Sequence, residues 1–332
     1  MPNPRGPFNC SGLTTDGARY TTIEDMWAHE LSAPHNTATQ GPSGEPDAAS
    51  DPDAEGDDGS ANEHDDDDDD ENRPEATWYQ KSEAYWREQK ASVEGMLGGL
   101  DALHDRDVAA SRRFLAALPV SARGRALDVG AGIGRVSKSL LLPAFERVDL
   151  LEQSPKYVAE SRVYLSAFAA RDDAETDDTG HSGAGMVGRR IVAGMQDFRA
   201  AGLVDRAGVA TGALARAYDV VWIQWCVIYL TDDDFVSFLR ECVSALRPGG
   251  LVVLKDNVAR AGFLVDKDDS SVMRSGPYLK SIFARAGLAV VKEQRQLDFP
   301  SSVFPVRMYA LRPVGPAFDD ATDDAARRKA GA

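Results

Sequence analysis

The chain has 332 residues, with 37 basic and 53 acidic side chains and a formal net charge of −16. Fifteen of the acids fall between Glu45 and Glu71 with no Lys or Arg among them, so the remainder carries only about −1 and lacks the basic surface of a nucleic-acid binder. The three cysteines (Cys10, Cys226, Cys242) make no disulfide framework, no apolar run is long enough to span a bilayer, and the opening MPNPRGPFNCSG has no apolar signal core; together these predict a cytoplasmic protein, with the nucleus as a second location.

Residues 1–74 read as a mostly disordered acidic arm. Their Gly, Pro, Ser, Thr and Asp content buries too little apolar area to offset chain entropy. One stretch inside the arm differs. TIEDMWAHEL (22–31) spaces Ile23, Met26, Trp27 and Leu31 as a short helix would, ready to dock on the protein's own body or on a partner. Ordered structure is expected from about residue 75 to 312. It opens with an aromatic-rich helical region, WYQKSEAYWREQKASVEGMLGGL (78–100), and a second helix over 110–119.

From residue 125 short apolar strands alternate with helical patterns. Strands are predicted at 125–130, 146–152, 189–194, 218–225 and 250–255, and helices at 133–142, 155–168, 232–246 and 275–287. Two last strands, 288–296 and 303–312, have no helix between them. The pattern predicts an α/β fold: a doubly wound, Rossmann-like sheet of seven strands, with an antiparallel edge hairpin and an N-terminal helical extension. Residues 171–188 are polar and glycine-rich and read as a loop insertion, and residues 313–332 as a disordered tail.

The stretch LDVGAGIGRVSKSLL (127–141) joins the first strand of this series to a helix through Gly130, Gly132 and Gly134. Glycines at such a turn let a ligand approach the backbone. A dinucleotide turn runs G-x-G-x-x-G, and here Arg135 stands where the third glycine belongs. That favours S-adenosylmethionine, whose carboxylate can meet Arg135 and the turn's N–H groups. The next strand, RVDLLE, ends at Glu152, where a carboxylate can accept both ribose hydroxyls. A third strand end, GMQDF, places Met195 and Gln196 where they can cover an adenine. Gln224 and Trp225 close the fourth strand, Lys255, Asp256 and Asn257 the fifth. A polar loop, FLVDKDDSSVMRS (263–275), then carries Asp266, Asp268, Asp269, Ser270 and Ser271, acids suited to a cationic substrate.

Together LDVGAGIGRVSKSLLLP, WIQWCVIYLTD, LRPGG, KDN and VDKDDSSVMRS resemble the protein α-N-terminal methyltransferases, as does YWREQKASVEGMLGG; the similarity runs from about Trp78 to Leu311. The resemblance implies S-adenosylmethionine bound by Gly130, Gly132 and Arg135, by Glu152, Gln153 and Ser154, and by Met195, Gln196 and Gln224. It implies a protein substrate with a free N-terminus beginning X-Pro-Lys or X-Pro-Arg. Trp225 would pack on the proline, Asn257 would hold substrate backbone, and Asp266, Asp269 and Ser271 would line the peptide's cationic end.

A free α-amine has a pKa of about 7.7–8.0, so at neutral pH a base must remove a proton before the amine can attack. Asp269 is the expected base. Many relatives carry His where this chain has Tyr229, and Tyr229 is expected to orient the amine or a relay water. A second departure is Arg307-Met308, where relatives tend to have an aromatic. The expected enzyme is a monomer that needs no metal and binds neither membrane nor nucleic acid. Two other readings compete with it. One is a small-molecule methyltransferase on the same fold. The other is a non-catalytic interaction protein that uses the acidic arm.

Overall fold

The computed structural model describes residues 10–32, 74–120, 122–168 and 185–315. The acid run, most of the expected insertion and the tail past residue 315 lie outside the described residues. Two short strands, β1 (Gly12–Thr14) and β2 (Arg19–Tyr20), and helix α1 (Ile23–Ser32) come first. Helices α2 (Pro74–Glu88), α3 (Val93–Met96) and α4 (His104–Ala116) lead into the alternating series. That series is β3 (Arg125–Val129), β4 (Arg147–Glu152), α5 (Pro155–Tyr164), β5 (Met186–Val192), β6 (Tyr218–Gln224), α6 (Asp232–Ala245) and β7 (Leu246–Asn257). A hairpin, β8 (Phe263–Asp266) and β9 (Ser271–Arg274), precedes α7 (Gly276–Arg285) and the closing pair β10 (Leu288–Arg295) and β11 (Val306–Pro313).

The main sheet has the order β10-β11-β7-β6-β3-β4-β5. Strands β3 to β7 pair in parallel, and β11 runs antiparallel to both β7 and β10. The closing hairpin therefore sits at the edge as expected, but the strand that runs against the rest is β11, one place in from that edge. The chain winds outward from β3 through β4 and β5, then returns to β6 on the other side. Strand order reverses between β3 and β6, where open α/β sheets bind their ligands at the carboxyl ends of the strands.

Both faces of the sheet are covered, as a parallel sheet requires. Alternate residues of each strand feed two separate apolar layers. Leu127, Val221, Val252 and Leu311 join one; Ala126, Val220, Leu251 and Ala310 join the other. Helix starts follow side-chain chemistry. The Thr231 hydroxyl accepts the Asp234 N–H to open α6, and Ser154 accepts the Tyr157 N–H ahead of Pro155 to open α5.

Three expectations are corrected. The helix predicted over 133–142 is a π-helical turn, Ser137–Leu141; with Leu142 it puts three successive leucines inside. The polar loop 263–275 is the β8–β9 hairpin. The arm read as mostly disordered holds β1, β2 and α1 over residues 10–32, and α1 is the helix anticipated at 22–31, docked on the protein's own body. Trp27 meets Trp78 edge to face at 5.1 Å, and Ile23 and Met26 are buried in the core. Strand β1 pairs in parallel with β8, making a second sheet of order β2-β1-β8-β9. Its partner lies about 250 residues away in sequence, which no local pattern displays.

Candidate active site

A cleft enclosing about 890 Å³, its open mouth included, lies over the carboxyl ends of β3, β4 and β6. Its floor is the glycine turn. Gly130, Gly132 and Gly134 all have positive φ (61°, 56° and 89°), a conformation that side chains disfavour. Space forbids them too. A Cβ on Gly130 would stand 2.7 Å from the Cys226 Cβ, and one on Gly132 2.4 Å from the Met96 Sδ. The turn is thus pressed between the end of β6 and helix α3.

Glu152 stands at the end of β4, almost wholly buried. Its Oε2 accepts the Gly132 N–H and its Oε1 the Ser154 N–H, each at 2.8 Å. Burial lifts its pKa, and those N–H groups oppose the lift. A carboxylate has about four lone-pair directions, so two remain for hydroxyls of a ligand. Gln153, Met195 and Gln196 also line the cleft. Ser154 does not; its hydroxyl caps α5 and its N–H steadies Glu152.

Arg135 and Gln224 line the cleft as expected, but both are engaged from behind by Asp107 of α4. Arg135 Nη1 lies 2.7 Å from Asp107 Oδ2, and Gln224 Nε2 lies 3.0 Å from both oxygens. The Trp222 Nε1 donates to Gln224 Oε1 at 3.0 Å. The buried Lys255 ammonium donates to Asp107 Oδ1 and, at 2.9 Å, to Ser111. Burial works to raise the Asp107 pKa, but Lys255 and Arg135 overcome it and hold the carboxyl below its usual range. Gln224 therefore sits in the cleft wall with its amide already committed. Asp107 is the residue that sequence reasoning missed. It lies 148 positions from Lys255 and 117 from Gln224.

Helix α2 walls one side of the cleft through Tyr79, Ser82 and Trp86. Trp86 lines it and meets Tyr229 edge to face at 6.1 Å. The end of α2 is fixed by Lys156, whose ammonium donates to the carbonyls of Arg87 and Gln89 at 2.9 and 2.7 Å.

Trp225 and Tyr229 also line the cleft. Trp225 holds a φ of 55°, rare for a bulky residue and a mark of imposed strain. Its N–H donates to the Lys255 carbonyl at 3.0 Å, and its ring stacks on Phe299 at 6.4 Å with the planes 28° apart. The Tyr229 hydroxyl donates to Asp269 Oδ2 at 3.2 Å. Burial, with Asp269 alongside, pushes the Tyr229 pKa well above the usual tyrosine value. Burial and the charge of Asp266 also raise Asp269, opposed by hydrogen bonding. Two buried polar atoms here, Asp269 Oδ1 and Trp225 Nε1, have no hydrogen-bond partner among the described residues, a state folded proteins avoid unless a ligand completes it. Asp266, Asp269, Ser271 and Asn257 do not line the cleft itself. Asp266 and Ser271 face each other across the hairpin, and Asn257 ends β7, its N–H bonded to Asp256 Oδ1 at 2.8 Å. Two bonds tie hairpin to cleft: Tyr229 to Asp269, and Arg274 of β9 donating to the Leu230 carbonyl at 2.7 Å.

These features divide the site in two. The cleft offers a buried acid at a strand end, a glycine turn that lines it with backbone, and flanking apolar cover, which fits an adenosyl group bearing an amino-acid chain. The hairpin side offers acids and an aromatic. No group of His, Cys, Asp and Glu among the described residues is arranged to hold a metal ion, and no helix among them is long and apolar enough to cross a membrane.

The chain is similar to known proteins over nearly this whole architecture. A family model for AdoMet-dependent proline di-methyltransferases matches residues 74–312. An alpha N-terminal protein methyltransferase 1 from Oryza sativa subsp. indica is 36% identical over 306 residues, 90% of this chain and 91% of the relative. An N-terminal Xaa-Pro-Lys N-methyltransferase 1 from Danio rerio is 37% identical over 243 residues, 72% of this chain and 96% of the relative. Among solved structures, a SAM-dependent methyltransferase from Leishmania major superposes with a TM-score of 0.68 at 34% identity, covering 94% of this chain and 99% of that one. The family match begins on the helix that walls the cleft and ends in the last strand of the sheet, so cleft and hairpin fall within it: the chain belongs to the AdoMet-dependent proline di-methyltransferases.

Proposed function

We propose that this chain methylates the free α-amine of protein N-termini that begin X-Pro-Lys or X-Pro-Arg. The observation that supports the reading is the Tyr229–Asp269 pair, which joins the cofactor cleft to an acidic hairpin. S-adenosylmethionine, when bound, supplies a methyl group on a sulfonium sulfur, ready for attack by a nucleophile. Glu152 and the glycine turn bind it; Gln153, Met195 and Gln196 flank it; Arg135, held by Asp107, presents a cation to its carboxylate.

The peptide end is handled by other residues. Trp225 packs on the substrate proline, with Phe299 beside its ring. Asn257 hydrogen-bonds peptide backbone, and Asp266 attracts the Lys or Arg that follows. Ser271 braces the base of the turn that carries Asp269. Asp269 first holds the ammonium form of the substrate through charge. It then takes the proton, with Tyr229 donating to its other oxygen and fixing its direction. Its raised pKa brings it closer to the amine's, which eases the transfer. Activity should therefore climb with pH, first as Asp269 ionises and then through about 7.7–8.0 as the amine itself loses its proton. Alignment of amine, methyl and sulfur supplies the rest of the rate.

The test is incubation with labelled S-adenosylmethionine and the peptide Ser-Pro-Lys-Arg beside its N-acetylated twin. Label should enter the first and not the second. Equal labelling of both, or of neither, defeats the reading. A small-molecule methyltransferase would label neither peptide.

A further inference from the structure

We propose that residues 10–32 are a positioning element for the substrate peptide: they complete the sheet that carries Asp266 and Asp269, and Lys267 is its clasp. The proposal rests on the peptide reading above. The element lies ahead of residue 74, outside the span that the family model matches.

The contact is built closely. Strand β1 pairs with β8 through Gly12–Phe263, Leu13–Leu264 and Thr14–Val265. The Thr15 N–H then donates to the Val265 carbonyl at 2.9 Å, so pairing runs to within one residue of Asp266. A Cβ on Gly12 would stand 2.2 Å from the buried Phe263 ring, and one on Gly262 1.8 Å from the Ser11 carbonyl oxygen. Both positions demand glycine. Without β1 the hairpin is two four-residue strands with an open edge, an arrangement of marginal stability.

The tip of the hairpin is held by charge. Between Asp266 and Asp269 the only cation is Lys267. Its ammonium lies 3.3 Å from Asp16 in the β1–β2 turn and 3.6 Å from Glu30 of α1. Glu30 is in turn fixed by the Tyr20 hydroxyl at 2.6 Å. The element thereby draws the one positive charge of the tip outward, leaving Asp266, Asp268 and Asp269 unneutralised for a cationic peptide. It also supports the other side of the base. Trp27 of α1 packs against Trp78, whose indole N–H donates to the Tyr229 carbonyl at 2.8 Å. Residues 10–32 thus brace both Asp269 and the tyrosine that orients it, while none of them lines the cofactor cleft.

The test uses the full chain with two substitutions, Gly12→Val to unseat β1 and Lys267→Met to open the clasp while keeping its apolar stem. Lys267→Arg serves as the conservative rescue. Steady-state kinetics are run on Ser-Pro-Lys-Arg and Ser-Pro-Gln-Arg, and binding of S-adenosylhomocysteine is followed by calorimetry. Both substitutions should raise KM for the lysine peptide by about tenfold, as displacement of a positioned group by a fraction of an ångström does. They should also shrink the preference for lysine over glutamine and leave S-adenosylhomocysteine affinity unchanged. Lys267→Arg should restore the wild-type preference. A merely structural loss would lower the active fraction without moving KM or the preference. If Gly12→Val does not fold, the surface change Lys267→Met decides alone. Unchanged KM and preference in Lys267→Met, or a parallel loss of S-adenosylhomocysteine binding, overturns the proposal. An inactive wild-type chain sinks the peptide reading instead.

Discussion

The cofactor cleft and the peptide side of this molecule are built by different rules. The cleft is assembled from strand ends of one parallel sheet, and its chief parts are neighbours in sequence: Gly130, Gly132 and Arg135 lie on one turn, with Glu152 on the next strand. The peptide side is assembled from pieces that meet only in the finished fold. Asp269 comes from a hairpin, Tyr229 from the loop after β6, and the brace from the first thirty or so residues. On the proposed reading, a local motif holds the methyl donor, while long-range contacts hold the residues that meet the peptide. Asp107, through Lys255, Arg135 and Gln224, is the fixed point between the two regions.

If the regions are separable, Asp269→Asn should lower transfer to Ser-Pro-Lys-Arg by about 10²–10⁴-fold, the usual worth of a general base, with S-adenosylhomocysteine affinity intact by calorimetry. A matching fall in that affinity would break the comparison. Asp107→Ala should injure both regions together. It strands a buried ammonium and a buried guanidinium, a loss of about 3–5 kcal/mol in urea denaturation. Glu152→Gln should act on the cleft alone, weakening S-adenosylmethionine binding by about 1.5–3 kcal/mol without changing the preference for lysine peptides.

A further effect is expected on stability against pH. Burial pushes the Asp128 carboxyl from 3.8 up to about 7. A raised pKa contributes stability that is whole below the unfolded value and is lost as pH rises through the folded one. Wild-type stability should therefore decline between about pH 4 and 7, and Asp128→Asn should flatten that decline; parallel denaturation curves for the two would remove Asp128 from the account.

How far the sequence carried the reading follows the same division. The parallel sheet, the glycine turn, Glu152 and the Gln224-Trp225 strand end are spacing signals over a few residues, and each stands at the cleft as expected. Tyr229, expected to orient the amine or a relay water, is hydrogen-bonded to Asp269 itself, a contact that the sequence does not display. The hairpin reads as a loop in the sequence because its strands are only four residues long and its tip is DKDD, so alternation has no room to register. Strand β1 is three residues and has meaning only against β8. Asp107 looks like one more acid on a helix; nothing nearby reveals that three donors from β3–β7 and the glycine turn converge on it.

The pairing of β1 with β8 also sets a timetable for the chain as it is made. The strand that leaves the ribosome early must wait for a partner about 250 residues later, roughly 12–50 s at ordinary rates of synthesis. Everything needed to grip the cofactor is translated before β8 arrives. A nascent chain would acquire its reagent site first and its ability to discriminate among protein ends last.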